Sequence, residues 1–141
     1  MKLERSSAVL SVVIVMLLLG CSTEPVPTSE ATPTQSIHSS AYATQKPGTG
    51  EVIVKRDRGF VGLACTAELS VDGNRIADLD DGEMVVMFLP EGGHIISAIS
   101  DNFFCFGATA ETGLTAKVGV TEYVRIGYTL GGTFFMSPTT D

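Results

Sequence analysis

Acid–base and nucleophilic chemistry needs a base within reach of a nucleophile, and this chain of 141 residues has two histidines, His38 and His94. His38 falls in a Ser/Thr/Pro-rich stretch and His94 opens an apolar strand pattern, so they form no metal pair, and no His/Cys spacing suggests zinc. No serine stands in the Gly-x-Ser-x-Gly setting of a nucleophile elbow, and there is no phosphate loop. Glu68, Glu111 and Glu122 are the acids that could meet across strands for glycoside cleavage, but strand alternation turns such residues outward in any case. Asp78-Leu79-Asp80-Asp81-Gly82-Glu83 gathers carboxylates as a hard cation would need them. Its spacing is not that of an EF-hand, since Gly82 stands fifth and Leu89 twelfth, and Asp and Gly are ordinary turn formers. These residues predict no enzyme, no metal and no cofactor.

The cysteines carry a more definite chemistry. Leu18-Leu19-Gly20-Cys21 closes an apolar run and resembles the lipobox of bacterial lipoprotein precursors, whose cysteine is lipidated on sulfur, cleaved just upstream and acylated on its new amino group. Lys2 and Arg5 outweigh Glu4 ahead of the run, and the uncharged residues 6–20 are too few for a membrane-spanning helix of about 20 apolar residues. Residues 1–20 are expected to be a signal peptide, and the acylated Cys21 to hold the protein on a lipid bilayer, each buried methylene contributing about 0.8 kcal/mol. By the sorting rules that this motif resembles, Ser22 rather than Asp after the cysteine implies the outer membrane, with the protein facing the periplasm.

With Cys21 spent on lipid, Cys65 and Cys105 remain as a pair in an oxidising compartment, where a disulfide is the default. Closing a loop of about 41 residues would stabilise the fold by about 4 kcal/mol on the chain-entropy account. There is no Cys-x-x-Cys and no neighbouring basic residue to activate either thiol, so the expected role is a staple rather than redox chemistry.

The formal charge is −7; without Lys2, Arg5 and Glu4 it becomes −8, from 7 basic against 15 acidic residues. A nucleic-acid partner is excluded on this count, since phosphate binding needs a basic stripe. A basic protein partner is compatible with it.

The elements that must position these residues are strands. Residues 21–50 contain Pro25, Pro27, Pro33 and Pro47 and almost no hydrophobic periodicity, so they are expected to form a flexible tether spanning about 30 Å. From residue 51 to 141 a single β domain is predicted, with strands over 51–57, 65–72, 75–79, 84–89, 94–100, 103–111, 114–118 and 122–130, and a last one over 133–136. Asp72-Gly73-Asn74 and Pro90-Glu91-Gly92-Gly93 mark turns between them. No amphipathic helix is apparent, and the turn spacing points to an antiparallel β-sandwich of the immunoglobulin or transthyretin kind. Arg56 and Arg58 flank Asp57 at the end of the first strand, where they would either contact a partner or, for Arg56, make an internal ion pair. Phe103, Phe104 and Phe106 surround Cys105 and are expected to pack partly in the core, while Phe134 and Phe135 either close a sheet or face a partner or membrane.

The segments Lys55-Arg56-Asp57 with Phe60-Val61-Gly62, then Leu69 to Leu79 around Val71-Asp72-Gly73, then Leu89-Pro90-Glu91-Gly92-Gly93-His94, together resemble an uncharacterised family of small bacterial lipoproteins whose domain is similar to PEGA-type β modules. The likeness continues into Gly119-Val120-Thr121-Glu122-Tyr123-Val124-Arg125; an extra Gly93 before His94 is a departure from the pattern. It implies a β fold and an envelope location, and no activity. The expected function is that of an outer-membrane-anchored binding or structural module with an envelope protein partner. The alternatives are a secretion-apparatus lipoprotein with a transthyretin-like fold, or an acidic inhibitor or immunity lipoprotein against a basic toxin or lysozyme.

Overall fold

Residues 66–71 alternate strictly between apolar and polar. In the computed structural model, which describes residues 23–101, 105 and 107–141, that alternation buries Ala67, Leu69 and Val71 completely and leaves Thr66, Glu68 and Ser70 half-exposed. The strands in chain order are β1 (Thr32–Pro33), β2 (Thr49–Arg56), β3 (Thr66–Val71), β4 (Asn74–Leu79), β5 (Glu83–Pro90), β6 (Gly92–Asp101), β7 (Ala108–Ala116), β8 (Thr121–Tyr128) and β9 (Phe134–Thr139). They form a five-stranded sheet in the order β1-β5-β2-β8-β9 and a four-stranded sheet in the order β4-β3-β6-β7. Val52 and Val54 of β2, Met87 and Leu89 of β5, and Val124 and Ile126 of β8 meet Leu69, Leu79, Ile96 and Ala98 from the other sheet in one core.

Only the four-stranded sheet is antiparallel throughout. In the other, β2 and β8 run parallel, from Glu51 opposite Thr121 to Arg56 opposite Ile126, and so do β1 and β5. The expected all-antiparallel sandwich fails here for a topological reason. Parallel neighbours need a long crossover, and between β2 and β8 the chain builds the whole four-stranded sheet and β5. Turn signals report hairpin neighbours, and this pairing is not one. Strands expected separately over 103–111 and 114–118 are one strand, β7, because Gly113 pairs in register with Ile95 instead of turning the chain. A β-bulge between Leu69 and Ser70 lets the consecutive residues Ile76 and Ala77 of β4 both be buried.

The stretch taken for a free tether is laid on the sandwich over its described part, residues 23–50. Thr23 donates its N–H to the Tyr128 carbonyl, and its hydroxyl bridges the Tyr128 backbone and the Asp57 carboxylate. Gly127 makes room for this seat, since a Cβ there would collide with the Asp57 carboxylate and the Thr23 hydroxyl. From Thr23 the chain crosses the outer face of the five-stranded sheet, burying Val26 and Ala31, to join β5 as β1. Thr34 then ties the two sheets together, its N–H bonded to the Met84 carbonyl and its hydroxyl to that of Asp78. Ile37 bridges Ala77 on the β4 edge, and the Tyr42 carbonyl accepts from the Phe88 N–H. Composition alone reads as coil; a few single contacts fix this strap.

Candidate functional site

The strap and β1 cover the β5 and β4 edges. Among the described residues β7 pairs only with β6 and β9 only with β8, and these two free edges lie against one another on the opposite side of the sandwich. The outward residues of β7, Thr109, Glu111, Gly113 and Thr115, are exposed.

At the end of this face lies a shallow hollow of about 430 Å3, lined by Asp72, Gly93, His94, Ile95, Gly113, Leu114 and Thr115. Its rim is built by the β3–β4 hairpin, where Asp72 and Gly73 both take positive φ, the pair of conformations a two-residue type I′ turn requires. That turn aims the Asp72 carboxylate back at β6. One oxygen accepts the Ile95 N–H at 2.9 Å and the other meets His94 Nδ1 at 2.7 Å, while His94 Nε2 is 2.8 Å from the Pro90 carbonyl. A carboxylate and a carbonyl are both acceptors, so both ring nitrogens must donate and the imidazolium is the form that satisfies the site. Burial opposes that charge, but the bonds to Asp72 and Pro90 outweigh it and raise the His94 pKa above its ordinary value. The Ile95 N–H and then His94 hold the Asp72 carboxyl below its own. With both nitrogens facing acceptors, the protonated His94 has no free lone pair to act as a base. The floor is apolar, with Ile95 about half exposed opposite a glycine. Such a hollow can seat a small apolar side chain beside a paired charge.

The residues predicted as partner contacts separate. Arg56 is 2% exposed and lies inside the sandwich, donating to the Leu79 carbonyl at 3.1 Å and the Gly62 carbonyl at 2.6 Å, with its guanidinium over the Tyr128 ring. It is neither a surface contact nor half of an ion pair, because it shares the inward phase of Val52 and Val54. The ion pair of this corner belongs to Asp57, which is 1% exposed and bound by Arg125. Arg58 is exposed, its backbone bridging Glu24. Phe134 is also buried, 5.2 Å from the Tyr128 ring, and Phe135 is half-buried beneath Arg125. Neither reaches outward as a free platform.

Cys65 and Cys105 form the disulfide. Cys21, Phe103, Phe104 and Phe106 lie outside the described residues. Glu68 pairs with Arg75, Glu111 stands two strands away on β7, and Glu122 belongs to the other sheet, so these acids form no pair. In the 78–83 turn every carboxylate is engaged: Asp78 by Arg75 and His38, Asp80 by the Thr66 hydroxyl, Asp81 by the Gly59 N–H and Glu83 by the Asp80 N–H. Among the described residues no group of three or more His, Cys, Asp or Glu could hold a metal ion. Sequence reasoning missed the hollow, whose one linear trace was a glycine inside a strand pattern, and missed the exposed Phe60, Leu63 and Leu130. Compared with protein-family models, curated proteins and solved structures, the chain shows no significant match to any.

Proposed function

We propose that this chain is an outer-membrane lipoprotein of the bacterial envelope, anchored through acylated Cys21, whose β-sandwich binds another envelope protein and carries no catalysis. The lipobox supports the anchor, and the disulfide agrees with an oxidising compartment. Within the same proposal the sandwich is an immunoglobulin- or transthyretin-like module of the PEGA type. The observation that supports the binding role is the outer face of β7 beside its junction with β9, where Thr109, Glu111, Gly113 and Thr115 stand exposed. The acid excess favours a basic partner, whose capture it would speed.

The test is photocross-linking in cells from Glu111 and Thr115 on β7, with Val120 in the β7–β8 turn as a control. A recurrent adduct with one envelope protein from the β7 positions alone is the expected result. Absence of any adduct from β7 in protein correctly acylated at Cys21 would overturn the binding role.

A further inference from the structure

Thr23 does more than start the strap. It is clamped to Tyr128 and Asp57, at the end of the sandwich where both β8 and β2 finish. Cys21 is two residues earlier, and two extended residues reach about 7 Å at most. An acyl chain on Cys21 is therefore tied to this end, with no tether between.

The same end carries the most exposed large apolar side chains of the described residues. Phe60 (81% exposed) and Leu63 (57%) lie on the loop after β2, and Leu130 (67%) on the loop after β8. The first loop is pressed onto β8, where a Cβ at Gly62 would fall into the Tyr128 ring, and it is stapled by Cys65. Its apolar side chains are thus held out rather than free to fold back. Among the described residues, exposed acids Glu24, Asp80 and Asp101 at this end, against the one exposed cation Arg58, disfavour an anionic surface.

We propose that this end is a membrane-contacting face, on which Phe60, Leu63 and Leu130 enter the headgroup boundary of a zwitterionic bilayer while the β5–β6 and β7–β8 turns point away from it. The inference rests on the anchor at Cys21 proposed above. It fixes the orientation of the sandwich, which an anchor on a long tether would leave open.

The chain contains no tryptophan, so a single introduced one reports only its own site. Full-length protein processed in cells would carry Phe60→Trp, Leu130→Trp or Val120→Trp and be placed in phosphatidylethanolamine/phosphatidylcholine vesicles with brominated acyl chains. Quenching of at least half the fluorescence at positions 60 and 130, with little at 120, is expected. Mass spectrometry of the mature amino-terminal peptide separates the two claims. Acylated Cys21 with unquenched tryptophan at 60 and 130 overturns the orientation and leaves the anchor standing, whereas a mature chain without acyl at Cys21 overturns both. Hydrogen exchange on the unaltered protein gives a second reading: residues 58–63 and 129–133 should gain protection on vesicles, and equal rates with and without them would count against the face.

Discussion

At Arg56 a full charge is held by carbonyls instead of carboxylates. Burial lowers its pKa, and what keeps it in place is two backbone acceptors and a ring face. Arg56→Ala strips both carbonyls of a donor, so unfolding in urea should show a loss of about 3–5 kcal/mol. The position was legible, because Val52, Val54 and Arg56 share one phase of the alternation; an internal partner was one of the two readings, but a positive charge suggested a carboxylate where the structure supplies two carbonyls. His94 was not legible, since its partner Asp72 lies 22 residues away and only the hairpin brings them together. Its raised pKa means that the pair stabilises fully below the unfolded imidazole value of about 6.5 and loses that contribution as pH rises through the folded value. Asp72, held low, contributes above its unfolded value of about 3.9 and loses it as pH falls through the folded one. Thermal melts should therefore fall in midpoint as pH rises above about 6.5, and Asp72→Asn should flatten that slope while lowering the midpoint below that pH.

Strands were the easiest elements to read. Alternation in β3, the apolar run of β5 and the Asp-Gly turn are local signals, and local signals survive in sequence. The strap across the five-stranded sheet is the opposite case: Thr23, Val26, Ala31 and Thr34 follow no period, and their partners Asp57, Met84 and Tyr128 lie far along the chain. If residues 23–34 were a coil, a nonspecific protease would cut them first. The contacts predict instead that they resist digestion under native conditions. Thr23→Val, which removes the hydroxyl bonds to Asp57 and Tyr128, and Gly127→Ala, which invades the same seat, should each open them to cleavage and lower stability by about 1–3 kcal/mol. The protease pattern read by mass spectrometry decides between strap and tether.

Across the whole molecule one covalent link spans the two loops flanking β3 and β7. The Cys65→Ser/Cys105→Ser double variant should lose up to about 4 kcal/mol in chemical denaturation, more than any single strap contact, because the closed loop restricts the unfolded chain. The strap imposes a different constraint, on the order of events. Lys55 lies buried over the Tyr123 ring with Asp141 and Thr28 bound to its ammonium, and Thr23 cannot make its bonds to Tyr128 until that residue exists. The first of the described residues to be synthesised thus cannot take its place until residues more than a hundred positions behind it are available. On the anchor proposed above, the residues next to Cys21 would therefore be open to modifying enzymes until β8 is in place, and completion of the fold would then bring the sandwich to its attachment point.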